Sequence, residues 1–298
     1  MRPVTREAFT LGEGPVWDAA GRRLLWVDIV AGEVLEGTLG DSVEVSARTR
    51  FAETVGAVAV ADDGGLLVAA QEHLVVLSPD GARVDGPRVV PSGEPRRLND
   101  GATDPAGRFL VGTLCLGEPT GREVLVRLEH DGTLTTLDDD LTLSNGLAWS
   151  PDGTLLYSVD TLRHVIHVRD YDAGTGAVGE RREHLRVEPG YPDGIAADAS
   201  GHLWVAVWGA GAVHRYDPAG ALEQVVPVPA PHTSSVAFAG DDLRTLVVAT
   251  ATRDLTPDEL AEHPLSGRLF AARVDVPGLP SVPWRRPSPV PPADRPRK

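Results

Sequence analysis

The sequence is short of several features that mark out other kinds of protein. It has one cysteine, Cys115, in 298 residues, so no intramolecular disulfide can staple the fold and a cytoplasmic setting is the expectation. Residue 115 has no base near it in sequence, which leaves no sign of a thiol nucleophile. No basic segment followed by an apolar run opens the chain, and no apolar stretch is long enough to cross a bilayer, so no membrane partner is expected. Basic residues are in the minority: 28 Lys and Arg against 43 Asp and Glu give a formal charge of −15. A surface of that sign opposes a nucleic-acid partner, because phosphate binding depends on counterions released at a basic face. Helical periodicity is nearly missing too; TPDELAEH, residues 256–263, carries at most one or two capped helical turns. There is no Gly-x-Ser-x-Gly elbow for a serine nucleophile and no His-x-x-x-His pair for zinc.

What the chain does contain is repetition. The stretch TLSNGLAWSPDGTLLYSVD at 142–160 nearly recurs as GYPDGIAADASGHLWVAVW at 190–208 and as LGEGPVWDAAGRRLLWVDI at 11–29. Aligned on one glycine, the copies fall at Gly14, Gly56, Gly101, Gly146 and Gly194, with a weaker sixth at Ser235, spaced 41 to 48 residues apart. Each unit holds four short runs rich in valine, leucine and aromatics, separated by turns such as DPAG, SPDG and ASG. That is the text of a four-stranded antiparallel meander. Six such units predict an all-β, six-bladed β-propeller over residues 1–275, with tryptophans such as Trp17, Trp149 and Trp204 packing between blades and Trp208 near a strand end beside a pocket. Pairing of the N-terminal PVTREAF with GRLFAARVDV of the last unit would close the ring and remove exposed edges, although the sequence does not decide it. From Val276 the remainder, residues 276–298, is Pro- and Arg-rich without apolar periodicity. It is expected to be an extended or disordered solvated tail, with a docking motif for a proline-reading module as the alternative.

In a propeller the innermost strands run along the axis, so one repeat position forms a ring around the channel. The residues before the aligned glycines are Glu13, Val55, Asp100, Asn145, Asp193 and Ser234. Carboxylates and an amide gathered around one axis repel or stay unsatisfied if left alone. A shared cation resolves the conflict, and an all-oxygen set suits a hard divalent ion: calcium, magnesium or manganese, with zinc not selected for.

The stretches LGEGPVWDAAGRRLLWVDI, RLNDGATDPAGRFLVGT, LSNGLAWSPDGTLLYSVD, PDGIAADASGHLWVA and HTSSVAFAGDDLRTLVVAT resemble, in order, the motifs of the gluconolactonase, regucalcin and senescence-marker-protein family. The resemblance runs from about residue 10 to 275 and implies a six-bladed propeller, in agreement with the repeats. It implies further that Glu13, Asn145 and Asp193 hold one divalent metal, calcium first, and that Arg97 and Asn99 hold the substrate. By the same resemblance Asp193 is the catalytic acid/base, and Asp100 is not a direct ligand. Glu118, in LCLGEPTGRE, stands at a shifted place for the family's substrate-contacting glutamate. The implied activity is opening of a sugar lactone, an aldonolactone, by a monomer or weak homo-oligomer. A calcium-binding regulatory protein without turnover and a related propeller esterase or organophosphate hydrolase are the alternatives. A pure interaction propeller is disfavoured, since a scaffold has no use for carboxylates buried on its axis.

Overall fold

A computed structural model of the chain describes residues 1–286. Six four-stranded antiparallel sheets stand around one axis. Their innermost strands are Gly12–Asp18, Ala57–Val60, Arg96–Thr103, Ser144–Trp149, Tyr191–Ala197 and Thr233–Ala239, one for each of blades 1 to 6. In blades 1 to 5 the strands follow sequence order outward from the axis. Blade 6 is completed by the N-terminus: Arg2–Pro3 is its outermost strand, with Arg2 opposite Ala271 and Pro3 opposite Phe270. Residues from the start of the chain and from residues 233–273 thus share one sheet, which closes the ring.

Burial explains the composition of each strand. The second strand of blade 5, LWVAVW, is almost wholly buried because both of its faces meet neighbouring blades. A strand buried on two sides reads as a continuous apolar run rather than an alternation. Outermost strands such as LEQVVP in the same blade stay mostly exposed. The tryptophans serve as inter-blade packing. Trp204 of blade 5 meets Phe238 of blade 6 edge-on at 6.0 Å, and Trp17 lies in a buried cluster with Ala239, Val247 and Ala249 of blade 6.

The segment from Val276 departs from the sequence reading. Residues 277–286 are extended, but they are docked rather than solvated. Gly278 N donates to Leu243 O and Leu279 N to Ala197 O at blades 5 and 6; Trp284 N donates to Val60 O and Arg285 N to Gly107 O at blades 2 and 3. The strap therefore crosses the end of the channel formed by the turns between first and second strands. Trp284, 2% exposed, enters the core between blades 2 and 3. Proline prevents regular pairing, but the non-proline residues between still carry N–H donors, and a buried indole supplies the anchor that periodicity does not reveal. The expected docking motif for a proline-reading module extends beyond residue 286 and lies in part outside the described residues. No helix among the described residues is long and apolar enough to cross a membrane. The one α-helix among them, Pro257–Glu262, carries the reciprocal capping box of Thr256 and Glu259.

Candidate functional site

Each blade's inner strand enters from one end of the channel, and the ring residues sit near that entry. In five blades the pairing of first and second strands shifts register at this place: between Glu13 and Val16, Leu98 and Gly101, Asn145 and Leu147, Pro192 and Ile195, and Thr233 and Ser235. A bulge inserts an unpaired residue and re-aims its neighbours' side chains. Blade 2 pairs in register from Ala57 and contributes the apolar Val55 at the equivalent position. The ring glycines are required by close approach. A Cβ on Gly146 would meet Ile195 N at 2.8 Å and Asp193 O closer still, and one on Gly56 would meet the backbone of Leu98 and Asn99.

Glu13, Asn145 and Asp193 are 6%, 5% and 5% exposed. Asn145 Nδ2 donates to Thr161 Oγ1 at 3.2 Å, and that hydroxyl donates in turn to Pro192 O at 2.9 Å. The amide is therefore fixed, and its Oδ1 is left without a partner. Asp193 Oδ1 is likewise buried without a partner. Glu13 Oε2 accepts only from Gly14 N, at 3.1 Å. Burial, reinforced by the charge of Asp100, pushes the Glu13 carboxyl up to about 8. Burial, then Glu13 and Asp100, raise Asp193 well above the ordinary carboxylate range, against the opposing pull of Asn145 and Arg97. Asp100, bonded to Gly101 N at 2.8 Å, is pushed up to about 6 by burial.

Asp100 also lines a cavity of about 860 Å³ beneath the ring. That cavity is walled by apolar residues such as Val16, Val58, Leu147 and Ile195 and crossed at its far end by residues 279–283 of the strap. Glu13, Asn145 and Asp193 are not among its lining residues.

Arg97 and Asn99 are buried beside the ring. Arg97 Nη1 donates to Asn99 Oδ1 at 2.7 Å and to Leu98 O at 2.9 Å, and Asn99 Nδ2 donates to Ser144 O at 3.0 Å. Asn99 thus fixes Arg97 and ties blade 3 to blade 4 beside Asn145. Burial lowers Arg97 to about 10; Glu13 and Asp193 oppose that shift, and the positive charge of Arg253 adds to it. Ser234, at the ring position of blade 6, is turned inward to Gly12 O at 2.6 Å and joins blades 6 and 1. Glu118 is exposed on the 116–122 connection at the entry end.

Two supporting carboxylates escaped the sequence reading. Asp28, which ends the second strand of blade 1, accepts from Thr10 N at 2.8 Å and Leu11 N at 3.1 Å. Asp160 at the same place in blade 4 accepts from Thr142 N at 3.2 Å. Each anchors the incoming segment that delivers Glu13 or Asn145 to the axis. The signal was present as the aspartate shared by WVD and SVD, but only the sheet order shows what it meets.

No group of three or more His, Cys, Asp and Glu in metal-holding geometry occurs among the described residues. The set expected to hold an ion, Glu13, Asn145 and Asp193, has two carboxylates and an amide; Asp100 is the ring's third carboxylate. Over residues 11–252 the chain matches the SMP-30/Gluconolactonase/LRE-like region. The chain belongs to this family. It is 36% identical to the 6-deoxy-6-sulfogluconolactonase of Pseudomonas putida over 282 residues, covering 93% of this chain and 96% of that one. It is 38% identical to the pentonolactonase XacC of Haloferax volcanii over 258 residues, covering 84% and 86%. Among solved structures it resembles a calcium-binding regucalcin from Agrobacterium tumefaciens, with a TM-score of 0.89, 30% identity and coverage of 95% and 97%. The likeness to each of these three proteins runs over most of both chains.

Proposed function

We propose that the protein is a divalent-metal-dependent lactonase that opens a sugar lactone to the corresponding aldonic acid. The observation that carries this reading is the pair of buried, partnerless acceptors, Asn145 Oδ1 and Asp193 Oδ1, converging with Glu13 beside the fixed guanidinium of Arg97. The named activities of the sulfogluconolactonase and pentonolactonase relatives point the same way. The donor set fits a hard cation: all three ligands would be oxygens, the amide is held by Thr161 with its oxygen free, and both acids resist ionising because burial and the neighbouring carboxylates outweigh the pull of Arg97. Glu13, Asn145 and Asp193 would hold calcium, with zinc, magnesium or manganese as alternatives. When bound, the ion supplies Lewis-acid polarisation of the lactone carbonyl and returns the two acids to carboxylates.

The chain's own residues account for the remaining steps. Arg97, braced by Asn99, donates to the oxygen on which negative charge grows as water attacks; a preset donor of this kind spares reorganisation in the transition state. Asp193 takes the proton of the attacking water through the oxygen not engaged at the ring and returns it to the leaving ring oxygen, a role typically worth about 10² to 10⁴-fold. Asn99 keeps one amide hydrogen beyond its bond to Ser144 and can offer it to a substrate hydroxyl. Glu118, exposed on the 116–122 connection at the entry end, would be a further contact to the substrate.

Acid release from a panel of sugar lactones tests the reading, with and without chelator and metal add-back, for the wild type and Asp193→Ala. Loss of turnover on chelation, recovery on add-back and no turnover by the variant are expected. Turnover that survives chelation refutes the metal reading. Tight calcium binding without turnover of any lactone transfers the case to a calcium-binding regulatory protein.

A further inference from the structure

At the entry end, the connections between second and third strands are short in five blades: residues 29–32, 70–72, 116–122, 161–164 and 209–211. In blade 6 it runs from 251 to 269. This insertion carries Arg253, whose backbone is pinned on both sides. Its N–H donates to Thr10 O at 2.9 Å, and its carbonyl receives His232 Nδ1 at 2.8 Å. Because a carbonyl only accepts, His232 carries its proton on Nδ1. The His232 ring lies flat on Trp208, 4.1 Å between centroids at 12°, so the wall holding Arg253 is rigid. The Arg253 side chain is half exposed. Its Nε donates to the exposed Asp254 at 3.2 Å, and among the described residues its two terminal nitrogens have no hydrogen-bond partner. Thr10 stands three residues before Glu13 and His232 two before Ser234, so Arg253 is held at the rim of the ring entry, where its positive charge acts on the buried Arg97 in a protein whose formal charge is −15. The acids that offset Arg97, Glu13 and Asp193, are the same ones that a bound cation would occupy. Like charges held this way are relieved by an anion between them.

Resting on the lactonase reading above, we infer that the preferred lactone bears an acidic substituent, a carboxylate or sulfonate, on its carbon chain away from the ring ester, and that Arg253 is the residue that selects it. The planar fork of a guanidinium matches two oxygens of either group, whereas a neutral lactone leaves the fork in water. The Trp208–His232 face beside it offers a flat apolar surface to the sugar's C–H groups.

The test compares an aldaric acid monolactone with the neutral aldonolactone of the same chain length, for the wild type, Arg253→Gln and Arg253→Lys. The wild type is expected to favour the acidic lactone. Arg253→Gln should lower its kcat/KM about 10- to 100-fold, mainly through KM, and leave the neutral lactone within about twofold. Arg253→Lys should recover part of the loss, since it restores charge without the fork. Equal effects on both lactones, or none on either, overturn the assignment. Binding of the ring-opened aldarate and aldonate is measured by calorimetry on the same metal-loaded proteins, so that lack of turnover alone does not decide the matter. Preference for the aldarate that disappears in Arg253→Gln supports the anion site even if no lactone is opened; absence of that preference in the wild type refutes it.

Discussion

Trp284 offers a sharp test of how the propeller is held together, because the sequence around it reads as solvated tail. Its indole is 2% exposed and lies in a cluster with Ala59, Ala61, Leu67, Phe109 and Leu128. Its backbone bonds, Trp284 N to Val60 O at 2.7 Å and Asp62 N to Trp284 O at 2.9 Å, do not depend on the side chain. Trp284→Ala therefore removes the indole while the strap's backbone path remains available. Deleting a buried tryptophan side chain costs about 3–5 kcal/mol, from lost transfer free energy and the cavity left behind. An unfolding entropy of about 2.1 cal/mol/K per residue gives about 0.6 kcal/mol/K for a chain of this size, so Tm should fall by about 5–8 °C. Thermal unfolding followed by circular dichroism reads the shift, and removal of residues 276–298 should cost at least as much. The strap crosses the channel end opposite the ring, so kcat/KM of the folded variant should stay within about twofold. A fall in Tm below about 2 °C would refute the reasoning that the indole is an anchor. A tenfold loss of activity at a temperature where the variant is fully folded would refute the separation of strap and ring.

Gly146→Ala should cost about 1–3 kcal/mol and also depress activity, because the added methyl presses on the backbone of Asp193 and Ile195. Gly64→Ala, at φ +85° with open space around it, should cost about 1–2 kcal/mol of stability and leave activity alone; equal activity losses in the two variants would contradict the ring geometry. Thr161→Val frees the Asn145 amide and should weaken calcium binding about 10- to 100-fold with the fold retained, read by calorimetry. In metal-free protein Glu13 holds its proton up to about 8 rather than 4.5. A carboxyl raised in the folded state contributes stability that is fully present below 4.5 and is lost as pH climbs through about 8. The Tm of chelated protein should accordingly fall between pH 5 and pH 8 and the gap to calcium-loaded protein should widen; a gap that narrows with rising pH would be inconsistent with a buried acidic ring.

The blade architecture was legible because its causes are local. Turns such as SPDG and DPAG, apolar runs of strand length and a glycine at each axis approach recur wherever a blade must be built, so counting copies predicted six four-stranded sheets. The ring was legible for the same reason: one repeat position with unlike oxygen-bearing residues stands out against turns that stay constant, and Glu13, Asn145 and Asp193 do converge as buried groups. Its shape was not legible, since the bulges that turn these side chains inward and the anchors at Asp28 and Asp160 depend on which strand lies beside which. Ring closure by Arg2–Pro3, the docking of Trp284 between blades 2 and 3, and the pinning of Arg253 to Thr10 join residues far apart in the chain. None leaves a periodic trace in sequence. The sequence by itself determined the repeated unit and which residues stand at the axial position, because strand, turn and glycine requirements act within a few residues. Only the tertiary structure decided what seals the two ends of the channel, because those contacts are chosen by surfaces that exist once the six blades have come together.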